Sequence, residues 1–422
     1  MGEAGTSAGE PTGGDLEAVL RARLGHASFR PGQREIVEAV LSGRDTLAVL
    51  PTGGGKSLTY QFPALVTGAC SLVVSPLVAL MRDQVESARR VGIRAAGVDS
   101  TRPAEERVCV LDAVRAGRIE VLYASPEGLP RLARDLAGTS PFGLFAVDEA
   151  HCIAHWGHDF RPDYLRLAEA RGLLAPAVPL VAVTATATPR VRDEIVALLG
   201  MADPLVHVGS FFRPNLRLAA WRKDPVGDAR DAIAALLRAH QGESAIVYRI
   251  SRSGASSLAG WLRRHGVSAA AYHAGLEPEE RARVQDAFLD GRCRVVVATV
   301  AFGMGVDKAD VRLVVHADLP GSHEAYAQEV GRAGRDGRDS DCVLLYSWSD
   351  VKRRESLVSD LPPERRRAAV TAVREVYRFA TAASCRQRAL CAHFGEVVAR
   401  PCGACDACGV VSAGRLLRAG GW

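Results

Sequence analysis

The feature that most restricts this chain is a recurrence of short runs that are apolar on both faces. Five of them, Thr46–Leu50, Ser71–Ser75, Glu120–Ala124, Leu144–Asp148 and Leu180–Thr184, fall in the first half. Five more, Ser244–Tyr248, Ala269–Tyr272, Arg294–Thr299, Arg312–Ala317 and Cys342–Tyr346, fall in the second. A strand that faces water on one side alternates; a strand without alternation is covered on both sides, as in a parallel sheet. Amphipathic segments of helical length, such as Leu77–Val91 and Pro278–Leu289, lie between the runs. Strand–helix alternation predicts βαβ units. The predicted fold class is therefore α/β, with two parallel-sheet lobes and a small helical module.

The run of strands breaks between Gly200 and Arg230, where Pro204, Pro214 and Pro225 fall, which places the lobe boundary near residue 210. Strands stop after Asp350, and Arg365–Ala383 and Ser384–Ala392 read as helices behind Pro362-Pro363. The expected division is a tail over 1–14, lobes over 15–209 and 210–350, a module over 351–410 and a tail over 411–422. A chain of 422 residues at roughly 150 per domain suits that division. Met1 to Gly14 has neither a basic region nor an apolar one, and no run of about 18 apolar residues occurs, so neither a secretory leader nor a membrane span is expected. A cytoplasmic location follows as an expectation. The net charge of +5 suits a polyanionic partner. Glu364 to Arg400 alone holds eight arginines and three glutamates.

Leu50-Pro51-Thr52-Gly53-Gly54-Gly55-Lys56-Ser57 follows the first strand and opens a helix. Thr52, Gly53, Gly54 and Gly55 let backbone N–H groups wrap a phosphate, Lys56 is placed for the β- and γ-phosphates, and the Ser57 hydroxyl for Mg²⁺. Asp148-Glu149 ends a later strand. Asp148 reads as a Mg²⁺ ligand through its water shell and Glu149 as the group that polarises an attacking water. Two acids at a strand end also suit a helix N-terminus, but the Lys56 loop favours phosphoryl transfer, which needs both halves. Gln328 to Gly337 carries Gln328, Arg332 and Arg335 as further catalytic candidates. Arginines three apart share a helix face, and from it they could reach across a cleft to a transferring γ-phosphate.

Ten cysteines are unevenly spread. Those from Cys70 to Cys342 sit mostly in apolar runs and read as buried small hydrophobes. Cys385, Cys402, Cys405 and Cys408 have the spacing of a four-thiolate structural Zn²⁺ site, with Cys391 as a spare thiol.

The chain resembles the RecQ family of superfamily 2 DNA helicases over residues 20 to 410. The resemblance rests on Phe29-Arg30-Pro31-Gly32-Gln33, the Lys56 loop, Ser75-Pro76-Leu77 with Asp83-Gln84, and Asp148 to His151. It continues through Trp156 to Pro162, Thr184 to Ala187, Arg213-Pro214-Asn215, Tyr272 to Gly275, Ala298 to Gly305, and Gln328 to Gly337. It implies two RecA-like lobes with ATP between them, and Arg30 and Gln33 as the adenine-recognition pair. His26 stands where relatives stack an aromatic ring on adenine. Trp156, Phe160 and Arg161 are implied as DNA contacts, offering π-faces and charge. The implied function is an ATP-dependent 3′→5′ DNA helicase or translocase in repair or recombination, in a bacterial cytoplasm. The implied partners are single-stranded and forked DNA and a single-strand-binding protein. Only fourteen residues follow Cys408, so a wing hairpin that splits duplex is not expected. An RNA-directed enzyme of the same superfamily and an ATP-gated binding protein are the alternatives.

Overall fold

A computed structural model describes residues 13–99, 102–139, 141–154, 160–223, 229–303 and 308–409. The first lobe is a seven-stranded parallel sheet of β1 (Thr46–Val49), β2 (Cys70–Val74), β3 (Ala95–Val98), β4 (Val121–Ala124), β5 (Phe142–Val147), β6 (Leu180–Thr184) and β7 (Leu205–Val208). Its order is β3-β4-β2-β5-β6-β1-β7. The second is a six-stranded parallel sheet of β8 (Leu216–Arg222), β9 (Ser244–Tyr248), β10 (Ala269–Tyr272), β11 (Val295–Ala298), β12 (Val311–His316) and β13 (Ser340–Tyr346), in the order β10-β11-β9-β12-β13-β8. The central strands β1, β2, β4, β11 and β12 are buried along their whole length, which is why they lack alternation.

Three strands lie outside the ten apolar runs. β3, β7 and β8 are Ala-Ala-Gly-Val, a half-exposed edge strand, and a strand carrying Arg217 and Arg222. The stretch between Gly200 and Arg230 is thus not a break in strand structure. It supplies β7 to the first sheet and β8 to the second, and the chain crosses between lobes from Val208 to Leu216.

Helices Trp348–Leu357, Pro363–Thr381 and Arg386–His393 follow the second sheet. Phe211 stacks on Phe394, with centroids 4.2 Å apart, and one apolar cluster runs from β1 and β5 through β12 to Phe379, Cys391 and Cys405. The cysteine-bearing module therefore shares its core with both lobes. Among the described residues no helix is long and apolar enough to cross a membrane.

Candidate nucleotide-binding cleft and cysteine cluster

In an open parallel sheet, the strand C-termini form the crevice where ligands bind. Adjacency of β5, β6 and β1 brings their C-terminal loops together there. The loop after β1 is closed by a Gly54 N–H to Pro51 C=O bond of 2.8 Å and runs into helix Leu58–Thr67. Gly55 has φ +76°, and a Cβ on it would sit 2.3 Å from Gln33 Nε2, so only glycine lets Gln33 approach. Gln33 Nε2 donates to the carbonyls of Gly54 (3.2 Å) and Gly55 (3.0 Å), while its Oε1 accepts from Arg30 N–H at 2.8 Å. Arg30 also bonds the Gly53 carbonyl. The two residues implied as adenine readers thus bond the carbonyls of the glycine loop; His26 is exposed.

Asp148 follows β5 directly and is 2% exposed. Its carboxylate accepts from Gln84 Nε2 at 2.7 Å and from the Glu149 N–H at 2.9 Å. Glu149 turns off the strand with φ 46°, strained for a residue with a Cβ. That turn aims its Oε1 at Lys56 Nζ, 3.2 Å away, and its Oε2 at His151 Nδ1, 3.3 Å away. His151 Nδ1 also lies 2.9 Å from Thr184 Oγ1 at the end of β6. Burial opposes ionisation of both acids. In Glu149, Lys56 and His151 outweigh it and hold the carboxyl well below the usual range. In Asp148, burial and the adjacent Glu149 charge raise the pKa despite Lys56 and Gln84. Two buried acids with separated affinities for a proton suit one carboxylate kept as a base and one that gains most from a cation.

The arginines of the second lobe differ from expectation. Helix His323–Val330 ends before them, so they do not share a helix face. Gly334, at φ +55° and with Asn215 Nδ2 2.5 Å from where a Cβ would stand, turns the chain between them. Arg332 is consequently 5% exposed inside its own lobe, beside Gly303 and the Tyr248 hydroxyl. Arg335 instead faces the first lobe, with Cγ 3.6 Å from a Cβ position on Gly53. Gln328 is half-buried on the helix, and Thr52 packs against Gly331, 3.1 Å from its Cβ position. Ser57 is half-buried where helix Leu58–Thr67 starts.

Arg213, in the crossing between lobes, was not among the expected site residues. Its guanidinium donates to Thr52 C=O at 3.4 Å and to Ala333 and Gly334 C=O at 3.2 and 3.0 Å. It thereby ties the glycine loop to the arginine turn. Its place in the motif Arg213-Pro214-Asn215, directly after the first lobe, was the available signal.

Of the expected DNA contacts, Trp156 lies outside the described residues. Phe160 lies under the Arg365 guanidinium, 4.2 Å from the ring centre, and Arg161 donates to the Pro76 carbonyl at 2.6 Å. The aromatic stretch is therefore joined both to the loop after β2 and to the arginine-rich helix Pro363–Thr381.

The sulfurs of Cys385, Cys402, Cys405 and Cys408 lie within 4.8 Å of one another. Cys402 and Cys408 are 3.9 Å apart, Cys405 and Cys408 3.4 Å, near the edge of about 3.8 Å expected around a metal with 2.3 Å Zn–S bonds. Backbone N–H groups of Cys402, Arg386 and Ala404 donate to the sulfurs of Cys385, Cys405 and Cys402 at 3.3 to 3.4 Å. Such donors stabilise thiolates, so the donor set fits Zn²⁺. Cys385 caps helix Arg386–His393 rather than lying within a helix. Cys391 is fully buried, its thiol pushed up to about 12 by burial and Glu396. Of the cysteines expected to be buried hydrophobes, Cys109 alone is exposed.

Residues 30–195 match the family model for DEAD/DEAH box helicases, 228–337 that for the helicase conserved C-terminal domain, and 348–409 that for RecQ zinc-binding. The chain is 42% identical over 347 residues to the probable ATP-dependent DNA helicase RecS of Bacillus subtilis, covering 81% of this chain and 69% of that one. The chain belongs to the RecQ family. It is also 41% identical over 394 residues to the ATP-dependent DNA helicase RecQ of Pasteurella multocida, covering 92% of this chain but 61% of that protein. It thus spans about three fifths of that RecQ relative's length. The helicase Lhr of Mycobacterium smegmatis, solved with single-stranded DNA and AMP-PNP, superposes with a TM-score of 0.63 at 26% identity, covering 84% of this chain and 50% of that one.

Proposed function

We propose that this chain is an ATP-dependent DNA helicase or translocase that moves 3′→5′ on single-stranded DNA. The observation that carries the reading is the meeting of Arg335 from one lobe with Gly53 of the glycine loop in the other, the loop that also carries Lys56 to its pairing with Glu149. In this reading the loop amides and Lys56 bind the ATP phosphates, and Glu149 leaves Lys56 to orient and polarise the attacking water. Asp148 and Ser57 would hold Mg²⁺, which supplies charge neutralisation when bound. Arg335 stabilises the charge that develops on the transferred phosphoryl group, with Gln328 and Arg332 as further catalytic candidates of the same segment. Arg30 and Gln33 report adenine to the loop, because the bonds that would read the base are shared with the loop carbonyls. Cys385, Cys402, Cys405 and Cys408 would hold a structural Zn²⁺ that completes the module.

Phe160, Arg161 and Trp156 would contact DNA, with the arginines of helix Pro363–Thr381 on the backbone. Single-stranded and forked DNA, a single-strand-binding protein as partner, and a cytoplasmic location complete the proposal, with lobes over 15–209 and 210–350 and the module over 351–410. Hydrolysis measured with DNA and RNA single strands, and unwinding of forked, 3′-tailed and 5′-tailed duplexes, tests it. Stimulation by DNA with unwinding from a 3′ tail is expected. Greater stimulation by RNA would assign the chain to an RNA-directed role, and no hydrolysis with either strand would assign it to an ATP-gated binding role.

A further inference from the structure

Among the described residues, a second group of ligating side chains lies apart from the four cysteines and from the glycine loop. Helices His323–Val330, Pro363–Thr381 and Arg386–His393 contribute His323, Glu375 and His393, and one ligand-type atom from each lies within 4.8 Å of the other two. The two imidazoles stack with centroids 4.5 Å apart at 27°.

Packing alone explains part of this arrangement. Phe379 meets His323 edge-on at 5.4 Å, and a stacked histidine pair is an acceptable core contact. Packing does not explain the polar atoms. His323 is 8% exposed, yet its buried Nδ1 has no hydrogen-bond partner. Buried polar atoms are rarely left so. Nor does packing call for a carboxylate beside the stacked imidazoles. His393 pairs through Nε2 with Glu324 Oε1 at 2.7 Å, which leaves Nδ1 as its ligating nitrogen. A carboxylate behind a histidine is the arrangement that orients metal-bound imidazoles.

We propose that His323, Glu375 and His393 form a second metal site, for a divalent transition metal of the Zn²⁺ type. Two imidazoles and one carboxylate oxygen suit Zn²⁺, Co²⁺ or Ni²⁺ and not the all-oxygen preference of Mg²⁺ or Ca²⁺. Three protein ligands leave a position for water. The site would clamp the helix that feeds the arginine turn to the two helices of the cysteine module. Helix Arg386–His393 would then carry a metal at each end, Cys385 at its start and His393 at its last residue.

The test uses the full chain with its cysteine-bound zinc left in place, titrated with Co²⁺ or Zn²⁺ at neutral pH. A second equivalent is expected, with cobalt d–d bands lacking thiolate charge transfer, and with a metal-dependent rise in melting temperature. Glu375→Ala and His393→Gln should each weaken that second equivalent at least about 10-fold while keeping the first and melting normally without added metal. Glu375 is half-buried, so its variant is the one expected to fold regardless. A single equivalent at excess metal, or a second equivalent that survives both substitutions, would overturn the proposal.

Discussion

The two lobes hold their charged side chains in opposite ways. In the first, Lys56 and His151 lie on Glu149 at 3.2 and 3.3 Å, and Gln84 on Asp148 at 2.7 Å. In the second, the helix stops at Val330 and the two arginines part company, Arg332 turning inward and Arg335 outward. The contrast teaches where each half of the cleft gets its geometry. The first lobe's constellation is built from side chains of that lobe alone. Arg335 acquires a role only while the lobes face each other, and Arg213 is what holds the turn against the loop.

The sharpest way to break this comparison is Arg335→Ala. It should lower DNA-stimulated turnover about 10³- to 10⁵-fold and leave nucleotide affinity and melting temperature near normal. Turnover close to the parent's would remove Arg335 from the transition state. Glu149→Gln comes next, with turnover expected to fall about 10³-fold. Nucleotide binding should survive, since Lys56 is released rather than lost. Weakened binding instead would make Glu149 a structural partner of Lys56.

Arg332→Ala sharpens the same contrast from the other side. Removing a buried side chain that packs on Gly303 should destabilise the protein by about 2–4 kcal/mol, seen as a melting temperature lowered by several degrees. Unchanged melting would mean that Arg332, like Arg335, acts only on bound phosphate. The smallest effect concerns His151. Burial alone would lower its pKa, but Cys152 and Glu149 outweigh burial and hold it at about 10. A raised folded-state pKa gives stability that is complete below the ordinary value near 6.5 and is lost as pH climbs through about 10. The melting difference between the parent and His151→Gln, about 1.5 kcal/mol at pH 6, should shrink by pH 10. A difference constant with pH would show that the imidazole is neutral throughout.

Much of this was legible because parallel strands covered on both sides cannot hide their composition. The ten runs that sequence reading picks out are strands of the two sheets. β3 escaped because Ala-Ala-Gly-Val has little strand preference, and β7 because an edge strand is half-exposed. The Lys56 loop, the paired acids and the Cys402-Cys405-Cys408 run are encoded locally, by spacing within a few residues, while Cys385 stands 17 residues ahead of Cys402. Arg332 and Arg335 misled because a three-residue spacing says helix, while the positive φ of Gly334 is not written in spacing. Arg213 and His151 act through partners far away in sequence, Thr52 and Thr184. His323, Glu375 and His393 were invisible for the same reason.

The chain that crosses between the lobes is not a free tether. Glu396 accepts from Ser210 Oγ at 2.5 Å and from Phe211 N–H at 2.7 Å, and Gln387 donates to the carbonyls of Arg213 and Leu216 at 2.8 and 3.0 Å. Arg192 of the first lobe reaches the Phe394 carbonyl, and Asp406 accepts from Ala220 N–H at 2.9 Å in the second. The cysteine-bearing module is thus a saddle riveted to the crossing and to both sheets. Any swing of one lobe relative to the other must pivot on that saddle, as a lever on a fixed bearing. The leverage then depends on the distance from the bearing, so a small rotation near Phe211 becomes its largest displacement at the far rims of the two sheets.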